Sequence, residues 1–183
     1  MKIINSKIID VKIIEADVFK DSRGFFLESY SSRKFAQLGI MESFIQDNHS
    51  LSSKKGTLRG LHFQKNPHAQ AKLIRCTRGR VLDVAVDIRV GSPTFLRLVS
   101  AELSEDNFRQ LYIPKGFAHG FLTLADNVEV QYKTSDYYAP DSDMCIRWDD
   151  PDIGVIWGTL DPVLSEKDRH APYFREIYNN FIY

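Results

Sequence analysis

VLDVAVDIR, residues 81–89, decides the fold class: Leu82, Val84, Val86 and Ile88 alternate with Asp83, Ala85 and Asp87. A period of two is the signature of a half-buried β-strand. Working outward, GSPT (91–94) supplies turn chemistry and FLRLVSAEL (95–103) reads as the next strand. SEDN (104–107) turns again before RQLYIP (109–114), and KGFAHG leads into FLTLAD. VEVQYKTSDYY (128–138) alternates once more, and IIDVKIIEADVF near the N-terminus predicts further strands. Helices are expected only at the periphery. SRKFAQLGI (32–40) has a serine start, Phe35 and Leu38 at helical spacing, and Gly39 as a stop. SEKD (165–168) resembles a capped turn or a short helix start. Short strands separated by tight turns imply an all-β chain, an antiparallel barrel or a double-sheet roll. Such a roll can enclose a pocket, because one face of each strand points inward.

Bulk composition narrows the function. The 183 residues suffice for one domain with a sizeable core, expected to span 1–183. With 24 basic and 24 acidic side chains, neither nucleic acid nor an anionic membrane is expected as a partner held by net charge; a local basic pocket is still allowed. The N-terminus breaks its apolar pairs with Lys, Asp and Glu, so no signal peptide is expected. No stretch is apolar for long enough to span a bilayer as a helix. Cys76 and Cys145 form no CxxC and no disulfide framework, and read as buried free thiols of a cytoplasmic protein. No dinucleotide-binding glycine motif is present.

LRGLHFQKNPHAQAKLIRC (58–76) sets charge among apolar residues. His62 lies between Leu61 and Phe63 and, in a regular strand, faces away from both, on the side of Gln64. Alone it reads as a core histidine; in a lumen it reads as a base, because imidazoles in general need little perturbation to act as one near neutrality. Lys72 shares a side with Ile74 and Cys76, where an ammonium is costly unless an anion meets it. Tyr132 reads either as packing or as a phenol acid, and Tyr138 has the same parity. Asp168 completes S-x-x-D with Ser165, a helix cap, or else orients a histidine. Arg23 and Arg59 could grip phosphates or sit in surface salt bridges, with Phe19 and Phe26 as ordinary core residues.

IPKGFAHGF (113–121) carries PxGxxH through Pro114, Gly116 and His119, similar to the second motif of the cupin superfamily. The metal-binding members have HxH in their first motif; here the stretch reads HFQ, with Gln64 in place of the second histidine and no downstream glutamate. A cupin-like jelly-roll barrel without a metal is therefore expected.

DSRGFFLESY (21–30), QDNHS (46–50), LRGLHFQ, AKLIRCTRGRVLDVAVDIR, SPTF, YIPKGFAHGF, QYKTSDYY, IRWDDPDIGVIW and LSEKD occur in one order over roughly residues 17–172. Together they closely resemble the dTDP-4-dehydrorhamnose 3,5-epimerase family. The resemblance implies a metal-free and cofactor-free homodimer acting on a dTDP-linked 4-keto-6-deoxyhexose. It implies His62 as base, Asp168 as its carboxylate partner, Tyr132 as acid and Lys72 beside the sugar. His119 is the motif-two histidine, expected to contact substrate along with Tyr138. Arg23, Glu28, Gln46, Asn48 and Arg59 match positions contacting the nucleotide or diphosphate, Arg23 and Glu28 across the dimer interface. Arg59 has the wrong parity to join His62, unless a bulge at Gly60 brings both to the pocket. The same residues would also serve an epimerase acting at C3 or C5 alone, or on another nucleotide sugar such as a GDP-heptose. A non-catalytic sugar-binding cupin and a metal-dependent cupin are the remaining alternatives.

Overall fold

The computed structural model describes residues 1–4 and 6–183. In chain order the strands are β1 (Lys2–Ile4), β2 (Lys12–Glu15), β3 (Val18–Asp21) and β4 (Gly24–Leu27), followed by helix α1 (Ser32–Gln37). Then come β5 (Gln46–Ser52), β6 (Leu58–Gln64), β7 (Lys72–Arg78), β8 (Arg80–Asp87) and β9 (Leu98–Ser104). The chain continues through β10 (Arg109–Ile113), β11 (Phe117–Thr123), β12 (Val128–Thr134), β13 (Asp143–Cys145) and helix α2 (Glu166–Arg169). A six-stranded sheet runs β1-β2-β10-β7-β12-β5 and a five-stranded sheet β13-β6-β11-β8-β9, while β3 and β4 form a separate hairpin. Every strand pair is antiparallel. This is the expected double-sheet roll.

Three apolar layers hold it together. Between the sheets, Ile74, Leu111 and Val130 of one pack with Val81, Ala85 and Phe121 of the other. The outer face of the five-stranded sheet, including Leu61, Phe63, Val84 and Val86, is covered by Ile146, Ile153, Trp157 and Phe181 of the C-terminal segment. The outer face of the six-stranded sheet buries Leu73 and Tyr112 against Phe35 of α1 and Ile40. Each fully buried Leu, Ile or Phe is worth roughly 1.5–3 kcal/mol.

The C-terminal cover corrects the reading of residues 81–89. β8 is not half-buried: Val84, Val86 and Ile88 lie under that segment, and the carboxylates of Asp83 and Asp87, both 0% exposed, are inside too. A buried carboxylate requires donors. Asp87 receives Arg89, Ser92 and Thr94 at 2.6–2.9 Å through their side chains. That anchor curls residues 92–97 into a turn bonded back to the backbone of Asp87. The next strand therefore begins at Leu98, three residues later than expected. β12 likewise stops at Thr134 rather than running to 138, because the Gln64 and Gln70 amides donate to the carbonyls of Asp136 and Tyr137 and draw the chain aside. α1 ends at Gln37, with Gly39 at φ +73° closing it.

Phe19 and Phe26 are not core residues: they are 65% and 69% exposed on the β3–β4 hairpin, joined there by exposed Phe25. Both thiols, Cys76 and Cys145, are free and buried. Among the described residues no helix is long and apolar enough to cross a membrane.

Candidate active site

The site lies between the inward faces of the two sheets. On β6, Leu61 and Phe63 point into the outer apolar layer, which leaves His62 facing the lumen. The bulge at Gly60 is present. His62 pairs with His119 and Arg59 with Phe121, so β6 uses one residue more than β11 over the same span. Gly60 sits at φ +124°, and a Cβ there would meet Gly120 Cα at 2.6 Å and the His119 carbonyl at 2.7 Å. Only glycine fits. The extra residue turns Arg59 to the same cavity as His62, resolving the parity conflict.

That cavity, about 420 Å³, is lined by Arg59, His62, Lys72, His119, Tyr132 and Asp168. A connected lobe of about 260 Å³ shares His62, Lys72 and Tyr132 and adds Gln46, Asn48 and Tyr138. Tyr138 arrives there by a loop, not by strand parity, and its hydroxyl donates to Asp143 at 3.1 Å. The Gln46 amide donates to Asn48 at 3.0 Å, and its own carbonyl takes the Tyr138 backbone N–H at 3.2 Å. Arg59 donates to Ser52 and to the Leu51 carbonyl, fixing the guanidinium at the rim. A roomier cleft of about 680 Å³ lies beneath the β3–β4 hairpin, mixing Lys20, Arg75 and Arg109 with Glu105, Asp106 and Glu129. It contains none of the candidate residues.

Within the lumen, His62 Nε2 lies 2.6 Å from Asp168 Oδ1. Asp168 also performs its capping role: Ser165 caps α2 by accepting the Asp168 backbone N–H at 3.1 Å and donates to its carboxylate at 2.9 Å. Burial works against ionising this carboxyl, but its His62 partner and the Ser165 and Cys145 donors hold its pKa below the ordinary carboxylate value. His62 and Tyr132 belong to opposite sheets and border one cavity. Burial raises the pKa of the Tyr132 phenol, offset in part by nearby Arg59, so it stays protonated. Lys72, at the first position of β7, is half-buried along its length. Desolvation of its ammonium lowers its pKa to about 8, against the attraction of Asp143 and Asp83.

Several residues here escaped the sequence reading. Asp83 accepts from His119 Nε2 at 3.0 Å, forming a second, buried imidazole–carboxylate pair. Its alternation with valines was visible, but the pattern does not reveal which face is inside. Asp143 and Lys167 pair beside the smaller lobe; Asp143 lies in no quoted motif, and within LSEKD only Ser165 and Asp168 stood out. Arg23 and Glu28 are not brought to this cavity. Arg23 lies in the hairpin turn, its side chain 87% exposed and bonded to Asp21, and Glu28 pairs with Lys34. Gln64, where a metal-binding cupin would have a histidine, spends its amide on the carbonyls of His68 and Tyr137 and the N–H of Ala139. His62, Cys145 and Asp168 do place a nitrogen, a sulfur and an oxygen within 4.8 Å of one another, but they are engaged with each other through protons.

A sequence profile for dTDP-4-dehydrorhamnose 3,5-epimerase matches residues 5–176. The chain belongs to this epimerase family. It is 55% identical over 170 residues to the dTDP-4-dehydrorhamnose 3,5-epimerase of Escherichia coli K12, covering 92% of this chain and 91% of that one. Among solved structures, the family's Bacillus anthracis enzyme with TDP and PPi bound superposes at a TM-score of 0.92. It has 48% identity and covers 94% of this chain and 99% of that one. The Legionella pneumophila enzyme in complex with dTDP-4-keto-L-rhamnose gives a TM-score of 0.93 at 46% identity, covering 97% and 94%. The cupin-like jelly roll is thus the fold of the epimerase family as well as of this chain.

Proposed function

We propose that the protein inverts C3 and C5 of dTDP-4-dehydro-6-deoxy-D-glucose, yielding dTDP-4-dehydro-L-rhamnose. The observation that carries this reading is the placement of a carboxylate-paired imidazole and a protonated phenol on facing sheets of one cavity, with Lys72 beside both. The C4 ketone acidifies the hydrogens on C3 and C5. Neutral His62 removes one of them through Nδ1, since Nε2 is committed to Asp168. The electron pair moves to O4 as an enolate, and the Lys72 ammonium stabilises the charge. Tyr132 delivers a proton to the opposite face of the same carbon, inverting it; His62 then releases its proton to solvent and Tyr132 takes one back, and a second round acts at the other carbon. No electron leaves the substrate and no cofactor takes part. His119, held by Asp83, and Tyr138 border the sugar; Gln46, Asn48 and Arg59 serve the nucleotide and its diphosphate.

Proton NMR in deuterated water with the dTDP-linked 4-keto-6-deoxyglucose tests this. Deuterium is expected at both C3 and C5, with an inverted product. Exchange at one carbon would make the enzyme a monoepimerase, and binding without exchange would make it a sugar-binding cupin.

The active unit is a homodimer in this reading. The β3–β4 hairpin presents Phe19, Phe25 and Phe26 to solvent around Arg23, an apolar patch rimmed by charge and suited to a second copy. Crossing to the partner gives Arg23 and Glu28 a nucleotide to bind, which their own cavity does not. Sedimentation should find a dimer at assay concentrations; a monomer with full activity would remove this part. Buried free thiols and the nucleotide-sugar substrate suit the cytoplasm.

A further inference from the structure

We infer that Cys145 is a positioning residue of the epimerase, donating its S–H to the Asp168 carboxylate and thereby setting how strongly the His62–Asp168 pair holds a proton. The inference rests on the function proposed above. β13 pairs with β6 so that Cys145 stands directly opposite His62. From there its Sγ lies 3.4 Å from Asp168 Oδ1, the same oxygen that meets His62 Nε2 at 2.6 Å. The thiol's other acceptor is the Ile146 carbonyl, at 3.7 Å. Oδ2 is bonded by Ser165. Asp168 is 3% exposed, so little water competes for either oxygen.

The thiol keeps its proton. Burial, then the Asp168 charge, push its pKa up to about 12. It therefore acts as a donor and not as a nucleophile or a second anion. A donor on Oδ1 withdraws charge from the oxygen that stabilises the imidazolium. Without it, that oxygen is more negative and His62 binds its proton more tightly. The other charged and titratable groups facing the pair are Arg59 on β6, Lys72 on β7, Asp83 with His119 across β8 and β11, Tyr132 on β12, Asp143 on β13, Lys167 on α2 and the Tyr138 loop. The Cys145 variants change none of these residues.

The pH profile of kcat/KM reads this. Cys145→Ala should move the acid limb, where the dyad takes up its proton, upward by about half a pH unit. Below the limb this costs about threefold in rate, the scale of one weak hydrogen bond. Cys145→Ser, which restores an O–H donor, should return the limb to its wild-type position or below it. An unmoved limb in the alanine variant, or alanine and serine profiles that coincide, would overturn the inference. The S–H stretching band gives a readout independent of activity. Assigned by difference against Cys145→Ser, it should lie at the low frequency of a hydrogen-bonded thiol and rise when Asp168→Asn removes the anion. A band already at the position of an unbonded thiol overturns the inference even if alanine at 145 prevents folding. Failure of wild-type exchange in deuterated water, by contrast, removes the epimerase reading and leaves the infrared test of the contact standing.

Discussion

Replacing His62 with alanine is expected to slow solvent-deuterium exchange at C3 and C5 by about 10²–10⁴-fold, the usual contribution of a positioned base, while the protein still folds. The fold should survive because β6 is packed by Leu61 and Phe63, on the side opposite the imidazole. Asp168 loses its shortest contact but retains the Ser165 hydroxyl and the Cys145 thiol. Leaving that buried carboxylate one donor short costs about 1–3 kcal/mol in stability, to be read as a lower melting temperature at neutral pH. Tyr132→Phe provides the contrast. It keeps the base, so exchange by return of solvent protons to the original face continues, while inversion falls. A His62→Ala protein that exchanges at the wild-type rate would remove the base from the mechanism. A Tyr132→Phe protein with full epimerase activity would remove the acid.

The sequence singled out these two residues and put them on different strands, and the structure brings them to one cavity. It also exposed the local obstacle at Arg59–Gly60, where alternation failed by one residue and glycine allowed a bulge. It could not reveal how much of the sheets is covered. Alternation in β8 states that two faces differ, not that both are buried, and the cover comes from residues 146–181, some sixty positions further along the chain. For that reason Asp83, buried beneath His119, went unread, although it is as enclosed as any residue in the core. The β3–β4 hairpin failed in the opposite sense. Phe19 and Phe26 have the composition of a core, but the hairpin that carries them belongs to neither main sheet and leaves them exposed. Strand ends were misjudged where side chains, not backbone propensity, set the turn: the Asp87 carboxylate before β9, and the Gln64 and Gln70 amides after β12.

Lys72→Met should show the site trading stability for catalysis. The ammonium is expected to carry a large share of enolate stabilisation, so its loss should lower kcat by about 10²–10³-fold, with a smaller change in KM. In the wild type, desolvation brings the Lys72 pKa down from 10.5 to about 8. The cation expected to stabilise the enolate is therefore present in the free protein below pH 8 and lost above it, and kcat/KM should fall on the alkaline side through about pH 8. The same shift acts on stability with a definite sign. The folded protein releases this proton near pH 8 and the unfolded chain only near 10.5, so below pH 8 the buried charge disfavours folding. Allowing for residual solvent around a half-buried side chain, the penalty is about 1–3 kcal/mol. Methionine fills similar space without charge, so the variant should melt higher than wild type at pH 7. Between pH 8 and 10.5 the unfolded chain binds more protons than the folded one, wild-type stability rises with pH, and the gap between the two proteins should close. Thermal melts of both across pH 6–11, read beside the kcat/KM profile, check the pair of claims together. A variant that is slower but no more stable would place the ammonium in solvent, and one that is more stable but equally fast would show that the enolate finds its positive charge elsewhere.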